Sequence, residues 1–175
     1  MKKAEIISLY NEIAEKIENG LPFFDYETVD GRRPPLYITN LGTKTLGQFH
    51  CSYYSEVRLN EKFAENFSKK DIENALLHEL AHAIAGVRAA HGKEWQNICR
   101  KLERIFPDQI LERARPITLG EKALLIGEEY YEIFCPHCNE VVAIRKNACK
   151  ITKFTEKYKH STCKTTLQSR KVHTS

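Results

Sequence analysis

Long apolar runs are missing from this 175-residue chain, whose mean hydropathy is −0.48. No segment approaches the roughly 18 apolar residues that a membrane-crossing helix requires. The opening MKKAEIISLYNEIAEKIENG begins with a basic pair, but Asn11, Glu12 and Glu15 interrupt any apolar stretch, which argues against a signal peptide. Internal repeats and low-complexity tracts are absent as well. Methionine and tryptophan occur once each, as Met1 and Trp95, and histidine only seven times. With no leader expected, the six cysteines read as metal ligands or buried thiols rather than disulfides. The composition suits an intracellular, cytoplasmic protein. A chain of this size buries about 70% of its unfolded surface, enough for one main domain and a small appendage.

Three of the seven histidines fall in one stretch, HELAHAIAGVRAAHGKEW, from His78 to Trp95. His78 and His82 are four apart, so on a helix both project from one face and can grip one metal ion. Glu79 sits beside that pair, placed to take a proton from an attacking water. This is the H-E-x-x-H arrangement of zinc hydrolases. Ser68 with Asp71 reads as a capping box, and Leu76, Leu80, Ala83, Ile84 and Val87 follow at helical spacing, with Gly86 near the stop. Leu80 lies about 200° around the axis from His78. The apolar stripe should therefore face a core and leave His78, Glu79 and His82 toward a cleft.

A catalytic zinc takes three protein ligands and keeps one open position. His91 is the nearest third candidate, presented after a break at Gly86 and just before a second amphipathic helix marked by Trp95, Ile98, Cys99, Leu102 and Phe106. The wider spacing and the absence of a methionine after Met1 exclude the metzincin pattern. Glu103 remains the alternative, since some such sites take a glutamate from a later helix.

HELAH followed by HGKEW resembles the SprT-like family of zinc metallopeptidases, which includes the Spartan proteases that cut proteins crosslinked to DNA. TLGQFH (Thr45 to His50) and SEVRLNEKF (Ser55 to Phe63) are similar to the strand pair that precedes that family's active-site helix. The cysteine-rich tail is similar to its zinc ribbon. The resemblance implies a zincin-like α+β fold, catalysis by Glu79, zinc on His78, His82 and His91, and a role in DNA repair.

Cys51 and Cys99 fall in predicted core positions. Cys135, Cys138, Cys149 and Cys163 crowd the tail. CPHC is a tight knuckle, and HSTC, separated from Cys138 by twenty-one residues, supplies a partner. Cys135, Cys138, His160 and Cys163 would form a closed, structural zinc site, although Cys149 could replace His160. Lys164 stands where many knuckles carry glycine, and His137 is a bystander. The chain is thus expected to hold two Zn²⁺, one catalytic and one structural.

The expected organisation is α+β over residues 1–128, followed by a small basic β zinc ribbon over 129–175. In the first part, helices span 4–18, 69–86 and 93–106, with a strand near 36–39 and a hairpin over 46–60. A short helix should follow Pro107 and end by Pro116, and Thr118 with Glu121 should cap another. EYYEIF and VVAIR read as ribbon strands. Residues 139–175 carry nine Lys or Arg and two acidic residues, a net +7, against eighteen and twenty-one, a net −3, in residues 1–138, which together make the chain's +4.

In this basic tail Arg145, Lys146, Lys150, Lys153, Lys157, Lys159 and Lys164 alternate with Phe154 and Tyr158. Lys153, Phe154, Lys157, Tyr158 and Lys159 are candidate contacts to single-stranded DNA, combining phosphate neutralisation with base stacking. The bland reading is a solvated ribbon surface. Tyr53, Tyr54, Tyr130 or Tyr131 could stabilise an oxyanion, and Val57 to Asn60 could be an edge strand that pairs with substrate. The expected partners are a protein or peptide substrate and single-stranded DNA, with no membrane, and the chain is expected to act as a monomer. The rivals are a nucleic-acid-binding regulator with a vestigial site and a peptidase that cleaves a repressor. An intact Glu79 argues against the first, because metal binding alone does not need it.

Overall fold

The computed structural model describes residues 1–173 other than 22–23, 43–44, 110, 112–117, 119–121, 124–125, 128 and 148–156. The expected helices after Pro107 and at Thr118–Glu121 fall largely outside the described residues, as do Cys149, Lys150, Lys153 and Phe154. Two compact units divide the chain, Met1–Leu41 with Thr45–Arg115, and Gly42–Lys44 with Pro116–Ser175.

In the first unit, the apolar spacing of the N-terminal segment builds α1 (Lys3–Gly20), which buries Ile6, Leu9, Tyr10, Ile13 and Ile17 on one stripe. Strands β1 (Leu36–Thr39), β2 (Gly47–Cys51) and β3 (Ser55–Asn60) form a sheet in the order β1-β3-β2, with β1 parallel and β2 antiparallel to β3. Alternation puts Phe49, Val57 and Leu59 into the core. β3 is therefore the central strand, and Val57 to Asn60 is not the substrate-pairing edge that its sequence had suggested. The edges are β1 and β2.

Helix α2 (Glu61–Asn66) has no strong apolar period and was not expected. Asn60 creates it: this fully buried residue closes β3, accepts from Lys62 N–H as the helix cap, and donates through Nδ2 to Thr45 O at 2.8 Å. Helix α3 (Lys69–Ala85) begins at Ser68, whose Oγ accepts from Asp71 N–H. It stops at Gly86, where φ of 80° suits a residue without a side chain. Ile72, Leu76, Leu77, Leu80, Ala83 and Ile84 are buried as a broad apolar face. Each such large aliphatic contributes about 1.5–3 kcal/mol by leaving water. Val87 departs from the expected stripe: it lies past the helix end, in a 3-10 turn (Val87–Ala89), and is exposed. Helix α4 (Lys93–Ile105) packs against α3 and buries Trp95, Cys99 and Leu102.

The second unit contains an antiparallel sheet in the order β5-β4-β6, from β4 (Glu129–Phe134), β5 (Val141–Arg145) and β6 (Gln168–His173). β4 and β5 occupy the EYYEIF and VVAIR segments. β6 has no apolar alternation to announce it. Cross-strand ion pairs support it instead, Arg170 with Glu132 and Lys171 with Glu129. Two small apolar clusters hold the unit, Ile126, Tyr130 and Ile144 in one, Ile133, Cys135 and Leu167 in the other. Among the described residues no helix is long and apolar enough to cross a membrane.

Candidate metal centres

Helical periodicity puts His78 and His82 on one face of α3, and the break at Gly86 lets the chain return His91 to the same place. His91 Nε2 lies 3.2 Å from His78 Nε2 and 3.2 Å from His82 Nε2. Two nitrogens bound tetrahedrally to one ion at about 2.0–2.1 Å stand about 3.3 Å apart. His91 is thus already at ligand spacing from both other rings, and the ligand atoms of all three lie within 4.8 Å of one another. Burial, with the neighbouring imidazoles adding to it, lowers His78 to about 3, and burial and His91 lower His82 to about 4. Both rings are therefore neutral at pH 7, as metal ligation requires.

Trp95, from the first turn of α4, touches all three rings. Its centroid lies 4.8 Å from His78, 5.3 Å from His82 and 4.7 Å from His91. Tryptophan here is fully buried, and its Nε1 has no hydrogen-bond partner among the described residues. Glu103, the alternative third ligand, is engaged elsewhere, accepting Leu111 N–H at 2.6 Å.

Glu79 is more enclosed than an open cleft would leave it, with 7% of its surface exposed. Its Oε2 accepts Phe49 N–H from β2 at 2.7 Å. Burial raises the carboxyl to about 7 against the opposing effect of that N–H. A carboxyl near neutrality can both take and return a proton. Four tyrosines are the candidates for stabilising an oxyanion. Tyr53 and Tyr54 are exposed at the β2–β3 turn, and Tyr130 and Tyr131 belong to the second unit, where Tyr130 packs on Ile126 and Ile144.

The model of the SprT-like family matches residues 21–116, more than half of the chain. The chain belongs to the SprT-like family. Among curated proteins none matches it. In this SprT-like chain the matched span contains β1 to β3, α3, His91 and Trp95, and ends before the second cluster.

That second cluster brings together Cys135, Cys138, His160 and Cys163. Two turns with the same bonding pattern build it. Asn139 N–H donates to Cys135 O and Lys164 N–H to His160 O, while Cys135 N–H donates to Glu140 O and His160 N–H to Thr165 O. HSTC is thus a knuckle equivalent to CPHC, and in each the residue after the second ligand is left-handed, Asn139 at φ 58° and Lys164 at φ 56°. Burial pushes the Cys135 thiol up, but the N–H groups of Cys138 and His137 outweigh it and hold the thiol below its ordinary value. His160 Nδ1 lies 3.7 Å from Cys138 Sγ, close to the about 3.6 Å expected for nitrogen and sulfur on one tetrahedral ion. Its Nε2 faces Glu140 Oε2 at 3.2 Å, which orients the ring.

Gly47, the Phe49 N–H and Glu140 escaped the sequence reading as site residues. One signal was available: a glycine inside a strand pattern marks a close approach.

Proposed function

We propose that this SprT-like chain is a zinc-dependent endopeptidase acting on proteins associated with or crosslinked to DNA. One observation carries the peptidase reading: three imidazoles converge at ligand spacing while the Glu79 carboxylate sits on the next residue of the same helix. His78, His82 and His91 would hold the zinc, and the donor set of neutral nitrogens fits it. A zinc ion there supplies Lewis acidity, polarising the scissile carbonyl and making water nucleophilic near neutral pH. Glu79 accepts the water's proton and returns it to the leaving amine. The second zinc, on Cys135, Cys138, His160 and Cys163, has a full set of four protein ligands, which supports a structural role.

The DNA part of the reading rests on the basic tail and on family membership. Lys157, Tyr158 and Lys159 are exposed in the second unit, next to Lys153 and Phe154 in the chain. DNA contact is assigned to residues 153–159 on their alternation of lysines with aromatic rings and on the exposure of Lys157, Tyr158 and Lys159. A tail that grips the strand carrying the substrate raises the effective concentration of enzyme and substrate.

The test is digestion of a DNA-binding protein by the full chain, with and without single-stranded DNA. The wild type should cleave, and faster with DNA. Glu79→Gln should keep its zinc and fold while losing about 10²–10⁴-fold in rate. Full activity in Glu79→Gln sinks the mechanism, and rates indifferent to DNA remove the DNA coupling.

A further inference from the structure

At Gly47, β2 meets the catalytic helix more closely than a residue with a Cβ ordinarily allows. The register with β3 sets which groups of β2 face α3. Asn60 N–H donates to Leu46 O at 2.8 Å, and Gly47 stands opposite Leu59, Phe49 opposite Val57. In an antiparallel pair hydrogen-bonded residues alternate with non-bonded ones, so Gly47, Phe49 and Cys51 turn their N–H and C=O groups away from β3. One of these outward groups, Phe49 N–H, meets Glu79 Oε2 at 2.7 Å.

Two residues earlier the same edge makes room for the carboxylate. A Cβ on Gly47 would stand 3.0 Å from Glu79 Cγ, 3.0 Å from Oε1 and 3.3 Å from Cδ, its three nearest atoms. Glu79 has little freedom to yield, because its side chain is buried and one oxygen is already held by Phe49. Glycine in a strand often marks the close approach of another group, and Gly47, the first residue of β2, stands where the Glu79 carboxylate comes near.

We propose that β2 is the positioning element for Glu79, with Phe49 N–H holding one carboxylate oxygen and Gly47 leaving the space the carboxylate occupies. This rests on Glu79 being the general base. Gly47 acts through Glu79 and is a positioning residue, so a side chain at 47 displaces the carboxylate while the three imidazoles keep their metal.

Two measurements test it. In the zinc-loaded full chain, Phe49 N–H should exchange with solvent deuterium at least about tenfold faster in Glu79→Ala than in wild type, with the Gln48 and His50 amides unchanged. Gly47→Ala should lower kcat at least about tenfold at unchanged KM and zinc content, whereas the control Gln48→Ala, at an exposed neighbour, should behave as wild type. Equal Phe49 exchange in wild type and Glu79→Ala overturns the proposal, as does a folded Gly47→Ala with wild-type kcat. The exchange measurement decides the point even if Gly47→Ala does not fold. A wild type that hydrolyses no protein counts against the peptidase reading, while Phe49 exchange still reports on the β2 contact.

Discussion

The Trp95 indole lies over His82 with 29° between the ring planes and 5.3 Å between centroids. It is the chain's only tryptophan, so its emission reports on this cluster alone. Loading the metal-depleted protein with Co²⁺ should quench that emission saturably, and His78→Ala should weaken the quenching, as a fluorescence titration would show. Trp95→Ala should cost about 3–5 kcal/mol by urea unfolding, the range for deleting a buried aromatic. Trp95→Phe should cost less, since it also removes the unpartnered Nε1 donor.

Metal analysis should find two zinc ions of unequal character. His91→Ala should lose the one that exchanges readily, and Cys135→Ser the one that resists chelators. A closed four-ligand site contributes about 10–16 kcal/mol of apparent binding energy, which also holds its unit folded. A single zinc unaffected by Cys135→Ser would remove the second assignment.

Lys164 sits at φ 56°, where a side chain is strained. Lys164→Gly relieves about 1–2 kcal/mol of left-handed strain against the larger entropy that glycine loses on folding. The expected net gain is about 0.5–1 kcal/mol, read as slower zinc release to a chelator. Lys164→Val should speed release.

Alkaline stability should depend on Tyr10. Burial holds its hydroxyl, and that of Tyr26 with help from Glu18, protonated well above the ordinary tyrosine range. Tyr10 donates to Pro34 O at 2.5 Å. The unfolded chain ionises near pH 10 while the folded one does not, so this stabilisation is complete below pH 10 and is lost as pH rises further. Each such tyrosine should remove about 1.4 kcal/mol per pH unit above that point. Urea unfolding at pH 8 to 11 should show a shallower alkaline fall in Tyr10→Phe than in wild type.

Binding to single-stranded DNA should weaken steeply with salt, by about 0.7 in logarithmic slope for each phosphate neutralised. Lys157→Glu with Lys159→Glu should flatten the slope in filter binding. Tyr158→Ala should cost about 1–3 kcal/mol where the ring stacks on a base. Salt-insensitive binding would leave the tail a solvated surface.

Sequence alone determined the relations that a local period carries. The helical repeat aligned His78 with His82, a short break allowed His91 to return, and the C-x-x-C and H-x-x-C spacings each built a local knuckle, because each closes through hydrogen bonds only four or five residues apart. That the two knuckles meet, with His160 beside Cys138, was decided by the tertiary structure. The segments EYYEIF and VVAIR, read as ribbon strands, became β4 and β5. Sheet order was decided only by the tertiary structure: β3 became central because β1 and β2 pair on both its sides, and β6 formed through pairing with β4 rather than through any pattern of its own. The seating of Glu79 belongs to the same class. Phe49 and Glu79 are 30 residues apart, and no period relates them; packing α3 against the β2 edge does, and it is that approach which gives Gly47 its place beside the carboxylate.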